Sequence, residues 1–481
     1  PPRSVEFAAF TIASTLWRVM SPRTSSITFP ETVFSMGHII RSNRTDWMRD
    51  ALRRALRRRP PLRRLLRDLA REIPGTGGAV YLVGGFLRNI VEGREPGDVD
   101  LLVTGLSHRR TGEILRSLSV KLPGIRKVVA AGKHFPVHRI AVDWGKEYID
   151  VSVARAGGRP RPQPPGAKPA SDDREAVDDA ARRDFTINAL LFRLPPGRFV
   201  GNGRLLDPFG GIEDARGKRI RCVGEASDRF REDPLRIVRA IRLKSERHGF
   251  VLDPATASAI RRLGPPLLPA ASPDRLSVEL VRALSADPAG TIDDLRRHRL
   301  LKVFLPESGG HADRAAARIA RRYRFLHRSL RTPLPLPLLL GNLLADLPFE
   351  AAVAAARRLR LPDLRSVAST LRCLHILTHP EALRFPRAET ESALLATEDT
   401  RGCIALYRAV RHAGQRPARD LNRFIRKCRS TPFKVTGLWL EKNGFPEGPG
   451  RREILLRVRE ETLAGNARRP IDAVRLAESM R

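Results

Sequence analysis

Apolar and polar positions alternate in short runs through the first half of the chain and fall on a helical period through most of the second. The run VYLV at 80–83 reads as a strand, ended by a Gly84–Gly85 break, a short helix and a turn. A second strand, DVDLLV at 98–103, follows. Side chains alternate faces along a strand, so Asp98 and Asp100 point one way while Val99, Leu101 and Val103 point the other. Residues 112–118 read as a helix, and 130–155 hold two alternating stretches suited to antiparallel strands, the second carrying Asp150 between Ile149 and Val151. Residues 157–173 are rich in Pro and Gly without periodic apolar positions, so a mobile loop is expected there. Beyond 253 the pattern is helical, with 272–284 and 295–307 prominent. Residues 46–70 also place Leu at helical spacing with Arg between, interrupted at Pro60–Pro61. That stretch suits a solvated basic face or one lying along RNA.

Composition adds size and sign. A chain of 481 residues has room for roughly three or four domains and a sizeable core. Its 88 Lys and Arg against 52 Asp and Glu leave a formal charge of +36, which fits a polyanionic partner or a general preference for Arg at surface positions. Cys222, Cys373, Cys403 and Cys428 lack any C-x-x-C spacing, so reduced thiols of a cytoplasmic protein are expected rather than a zinc site or a disulfide frame. No apolar run approaches about 18 residues, and 334–344 is short and carries Pro and Gly, so no membrane partner is expected. Residues 1–40 have no clear period; Arg18, Arg23 and the Ser and Thr around them suit an organellar presequence, against which Glu6 and Glu31 count.

The candidate chemistry starts at the acidic pair. Two carboxylates on one strand face repel each other unless a cation sits between them, and hard oxygen ligands so placed suit Mg²⁺, which also takes phosphate. The Gly84–Gly85 turn just upstream allows close backbone approach to an anion. Taken singly, a Gly-Gly is most often only a turn and an Asp-x-Asp only a solvated loop; their adjacency makes the site. Further on, ARRDFTINALLF at 181–192 offers Arg182 and Arg183 as planar phosphate forks. In RFREDPLRIVRAIRL, from 229, Asp233 and Arg236 stand three apart at an expected helix start, an acceptor beside a forked donor that can mimic the edge of a pairing base. An ordinary helix ion pair is the simpler reading of the same spacing.

Gly84, Gly85, Leu87 and Arg88 followed by Asp98 and Asp100, together with the unbroken RRDFTINAL block, resemble the class II tRNA nucleotidyltransferase (CCA-adding) and bacterial poly(A) polymerase family of the DNA polymerase β superfamily. That family's usual motif is GG-x-V-R-D and then D-x-D; here Asn89 replaces the acid after the arginine. The resemblance covers about 77–307 and implies an α+β fold: a mixed-sheet nucleotidyltransferase head, then helical neck, body and tail domains. On that division 1–70 is an extension with a basic helix, 71–215 the head with its loop at 157–173, 216–310 the neck that recognises the base, and 311–481 an RNA-binding body and tail. It implies Mg²⁺ on Asp98 and Asp100, a third catalytic carboxylate at Asp150, and the triphosphate on Gly84, Gly85, Arg88, Arg182 and Arg183. Asp184, with Asn188 one turn on, would read the ribose 2′-OH. Glu232 would hold Arg236 so that it and Asp233 select C and A, with Arg239 meeting phosphate. Asp150 also reads as a plain strand-edge aspartate. The implied activity is transfer of C or A from CTP or ATP to a tRNA 3′ end, or of A alone as a poly(A) polymerase. The stretch GKHF at 132–135 resembles patterns found in both kinds of enzyme. A non-catalytic RNA-binding relative is the alternative from another class. Where some relatives carry a His-Asp phosphohydrolase motif this chain has Ala345–Asp346, so no second metal centre is expected. Oligomeric state is not indicated.

Overall fold

The computed structural model describes residues 44–378 other than 123, 132–135, 144–147, 155–172, 198–201 and 331–332; beyond 378 it describes 435, 437–445, 450–451, 454–455, 457–458, 461 and 470–480. The expectations for 1–40, for GKHF, for the Pro- and Gly-rich stretch up to 172 and for Cys403 and Cys428 lie outside the described residues. Two compact units divide the chain, one of Ser26–Arg236 and Arg247–Leu263, the other of Pro1–Ser25, Ile237–Glu246 and Gly264–Arg481.

The first unit opens with α1 (Arg44–Arg57) and α2 (Pro60–Glu72). Pro60 and Pro61 lie in the first turn of α2, where a missing N–H costs no intrahelical bond, so they start a helix rather than break one. Leu52, Leu56, Leu62, Leu65, Leu66 and Leu69 are buried in one core with Val80, Leu82, Leu101 and Val103, while Arg53, Arg54, Arg57, Arg64 and Arg67 stay exposed. The basic stretch is therefore amphipathic, and its leucines belong to the core of this unit.

A seven-stranded mixed sheet follows, in the order β3-β4-β5-β2-β1-β6-β7. β1 (Ala79–Val83) is buried at every position because both its faces are covered: Val80 and Leu82 enter the core shared with α1 and α2, Tyr81 and Val83 a second one. α3 (Gly85–Val91) leads to β2 (Val99–Thr104), antiparallel to β1. α4 (His108–Lys121) precedes β3 (Ile125–Ala131), β4 (Val137–Val142) and β5 (Tyr148–Val153). The pattern at 130–155 does give an antiparallel pair, β4 with β5, and β5 then runs parallel to β2. After α5 (Arg174–Ala181) a 3-10 turn at Thr186–Asn188 leads into β6 (Leu191–Arg193), which pairs with the other edge of β1, and β7 (Arg204–Leu206) closes the sheet. α6 (Gly211–Arg216), the short β8 (Arg219–Ile220) and α7 (Ala226–Glu232) complete the approach to α8 (Leu235–Ser245). The interruption between α7 and α8 falls at Asp233–Pro234, because a residue before proline is pushed out of the helical region; Asp233 adopts φ −149°, ψ 101°. Glu232 thus ends one helix and Arg236 begins the next.

The second unit is helical among the described residues. The stretch 295–307 does not form one helix: Arg297 ends Pro288–Arg297, Arg299 turns left-handed at φ 60°, and a new turn spans Leu301–Phe304. Asp346 is held by Arg322 at 2.7 Å and Arg318 at 3.3 Å. No single helix among the described residues is long and apolar enough to cross a membrane; Leu336–Leu344 and Phe349–Arg358 meet that test only as a pair bent by 117°, and the first is buried except at Pro337.

Candidate active site

The end of β1 sets the site. Gly84 has φ +70° and ψ −130°, a combination open to glycine and strained for other residues. Its missing side chain also leaves room: a Cβ there would lie 3.1 Å from Arg183 Nη1, 3.7 Å from Asp100 Oδ2 and 3.8 Å from the Asn188 carbonyl. The glycine turn therefore gathers the acidic strand and the RRDFTINAL block at one point. The Gly84 N–H itself donates to Leu190 O at 3.2 Å, within the sheet. Gly85 is similarly close to Arg88, with 3.3 Å between a Cβ position and Nη2.

Asp100 and Asp150 sit side by side in the parallel pairing of β2 with β5, and Asp98 is exposed one step before β2. Burial pushes the Asp100 carboxyl up to about 6; Arg183 and Arg88 oppose the rise, and the negative charges of Asp150 and Asp98 add to it. Asp150 accepts both Nε and Nη2 of Arg139, at 2.8 and 2.9 Å, and that guanidinium lies 5.4 Å from the Tyr148 ring centre. Asp150 is thereby engaged by Arg139 from the neighbouring strand, while its charge still bears on Asp100 beside it. Among the described residues no group of three or more His, Cys, Asp or Glu side chains is arranged to hold an ion. Two carboxylates, one of them resisting ionisation chiefly because it is buried and further because of the acids beside it, suit Mg²⁺, which fills its remaining positions with water and substrate phosphate.

The RRDFTINAL residues are fixed by one another. Arg183 donates from Nε and Nη2 to Asp179 Oδ2 at 3.1 and 3.0 Å, which turns Nη1 toward the glycine turn and the Asn188 carbonyl at 3.3 Å. Asp184 is buried, and its Oδ1 accepts from the Phe185 N–H at 2.8 Å and Asn188 Nδ2 at 3.0 Å. Asn188 in turn accepts from Arg88 Nη1, so Arg88 links α3 to this block. Arg182 caps the end of α5, and its carbonyl accepts from Arg236 Nη2 at 2.9 Å.

Glu232 does hold Arg236, at 2.9 Å through Oε2, and its Oε1 accepts from Arg229 at 2.8 Å. Arg229 also donates to the Ala181 carbonyl at 3.1 Å, so the two arginines fasten the end of α7 to the chain around Arg182. Asp233 caps α8 by accepting from the Leu235 N–H at 3.1 Å. Arg239 belongs to the other compact unit and lies 3.5 Å from Glu279 there. Sequence reasoning missed Arg139, Asp179 and Arg229. Asp179 stands four before Arg183 on a helical pattern and so was legible as an i,i+4 pair. Arg139 faces Asp150 only through the strand register, which no local spacing announces.

Residues 80–221 match the family model described as the poly A polymerase head domain, and 249–308 that described as a probable RNA and SrmB-binding site of polymerase A. A CCA-adding enzyme of Geobacillus stearothermophilus is 32% identical over 268 residues, which are 56% of this chain and 60% of that protein. The match thus spans about three fifths of that relative's length. The fold resembles the Thermotoga maritima CCA-adding enzyme complexed with tRNA, at a TM-score of 0.55 and 22% identity, covering 87% of this chain and 95% of that one. It also resembles the Bacillus stearothermophilus CCA-adding enzyme in complex with CTP, at 0.54 and 26%, covering 87% and 98%. A mixed-sheet head followed by helices is thus the α+β architecture of these enzymes.

Proposed function

We propose, from the match of residues 80–221 to a poly A polymerase head domain, that the protein adds C and A nucleotides from CTP and ATP to a tRNA 3′ end. The observation that carries this reading is the glycine turn at 84, which brings Asp100 and Arg183 within reach of the space a single side chain would fill. The reaction is attack of the RNA 3′-oxygen on the α-phosphorus, with pyrophosphate leaving. Asp98 and Asp100 would hold Mg²⁺, which when bound supplies positive charge to the attacking oxygen and the leaving phosphates. Asp100 must shed its proton to serve, so its high proton affinity makes metal binding compete with protonation near pH 6. Arg183, aligned by Asp179, presents a guanidinium to the triphosphate. Asp184, oriented by Asn188, lies where a ribose hydroxyl can donate to it. Arg236, steadied by Glu232, offers its fork to the base beside Asp233.

On this reading 71–215 is the catalytic head, 216–310 recognises the base, and 311–481 contacts RNA; Arg239 and Asp150 act in support, the first at phosphate and the second beside Asp100. The formal charge of +36 and the tRNA and CTP named with the similar structures support these partners, and a cytoplasmic location is part of the same proposal. The match to a poly A polymerase head favours a second reading, addition of A alone to any single-stranded 3′ end. Incubation of tRNA lacking its 3′ end, and of an unstructured RNA, with single nucleoside triphosphates and Mg²⁺ separates the two. A short defined end that uses CTP supports the first, and an ATP-only tail that lengthens with time supports the second.

A further inference from the structure

Position 89 follows Arg88, and an asparagine there can accept a hydrogen bond but brings no charge. Arg88 is nonetheless a largely buried cation, its side chain 11% exposed, and such a group needs an anion. The carboxylate comes from one helical turn further on. Glu92, with a side chain 5% exposed, places Oε1 3.6 Å from Arg88 Nε. The same Oε1 accepts from Arg247 Nε at 3.2 Å, and Arg247 is itself only 6% exposed. Asn89 Oδ1 lies between the two guanidiniums, 3.2 Å from Arg88 Nη2 and 3.5 Å from Arg247 Nη2. Its Nδ2 is tied to the Glu95 carbonyl at 3.4 Å, which fixes the amide's orientation. Asn188 takes Arg88 Nη1. Arg88 therefore donates hydrogen bonds from both terminal nitrogens, Nη2 to the Asn89 amide and Nη1 to the Asn188 amide, while its Nε faces the Glu92 carboxylate as an ion pair at 3.6 Å.

We propose that Glu92 is the positioning residue for Arg88, and that Arg247 and Asn89 complete a clamp that fixes the Arg88 guanidinium for the triphosphate. The charge missing at 89 is thus supplied at 92, and Arg247, reaching back 155 residues to Glu92, holds that carboxylate in place. Without the negative charge the two neighbouring buried guanidiniums repel each other, which strains Arg88 against its remaining amide partners and shifts its guanidinium. Glu92 touches no reacting atom; it acts through Arg88. This inference rests on the proposed role of Arg88 at the triphosphate.

Glu92→Gln keeps the shape and the acceptor and removes the charge. The expected result is an apparent KM for CTP and ATP raised about tenfold, with kcat changed by less than about threefold. Asn89→Asp in the Glu92→Gln background puts a carboxylate on the atom that already accepts from both guanidiniums, and should return KM to within about threefold of wild type. Glu92→Asp, which keeps the charge but withdraws it by one methylene, serves if the glutamine variant does not fold, with an expected rise in KM of about threefold. Direct binding of CTP with Mg²⁺, measured by calorimetry, should follow KM in each variant. A lowered melting temperature with unchanged KM, or a raised KM that Asn89→Asp does not restore, would overturn the clamp while leaving the nucleotidyltransferase reading intact. A wild-type protein that neither binds nor incorporates CTP or ATP would overturn both.

Discussion

Replacing Asp100 by asparagine should stabilise the metal-free protein while abolishing nucleotide addition. In the folded state the Asp100 carboxyl is raised from 3.8 to about 6, chiefly by burial and further by Asp150 and Asp98. At about 1.4 kcal/mol per tenfold change in proton affinity, that displacement corresponds to about 3 kcal/mol against the ionised form. Water entry and side-chain relaxation reduce it, so about 1–3 kcal/mol is expected in practice. The sign follows from proton uptake: the folded state binds the Asp100 proton more tightly than the unfolded chain. The penalty is therefore absent below pH 4, grows as pH rises to 6, and is complete above it. An amide never ionises, so Asp100→Asn escapes the penalty only at the higher pH. Thermal melts in EDTA should show the variant roughly 2–10 °C more stable at pH 8, with the gain shrinking toward pH 4.5. Saturating Mg²⁺ should narrow the difference by stabilising wild type selectively. A variant that is no more stable at pH 8, or whose advantage is the same at both pH values, would refute the account of Asp100 as a buried carboxylate that resists ionisation.

Three further outcomes are expected. Gly84→Ala should lose most activity and about 1–3 kcal/mol of stability, because φ +70° is strained for alanine and the new Cβ meets Arg183 at 3.1 Å; chemical denaturation and an incorporation assay check the two effects. Asp184→Ala should erode the preference for ATP over dATP by about 0.5–1.5 kcal/mol, read as the ratio of kcat/KM values, and an unchanged ratio would show that ribose is read elsewhere. Arg236→Ala should relax selection against UTP and GTP by about 1–3 kcal/mol while leaving triphosphate affinity nearly intact, since Arg183 and Arg88 still hold the phosphates. Misincorporation assays with single nucleotides measure it.

Features set by local backbone geometry were legible in the chain. The alternation around Asp100 was legible, and the structure keeps Val99, Leu101 and Val103 in one core, whereas Asp98 lies one residue before the strand, so its shared face with Asp100 was an expectation of spacing alone. The Gly84–Gly85 break ended the strand where it does because glycine alone takes that φ without strain. The pairing of Glu232 with Arg236 was readable from four-residue spacing, and it survives even though Pro234 divides the two between helices. The basic run at 46–70 was legible as helix with leucines at helical spacing, but that those leucines join the core was not.

Contacts between distant segments were decided by the tertiary structure. Asp150 reaches Asp100 because β5 runs parallel to β2 across an intervening hairpin, and Arg139 engages it through strand register. Arg183 and Asp100 flank the same glycine because β6 lies against the opposite edge of β1 and returns the RRDFTINAL block to the glycine turn. Glu92 gives no local signal in the sequence of its role, because Arg247, which pairs with it, lies 155 residues away. Periodicity specifies which way a side chain points within its own element. Which other element it meets depends on sheet order and on the burial that makes an ion pair necessary, and both exist only once the whole chain has packed.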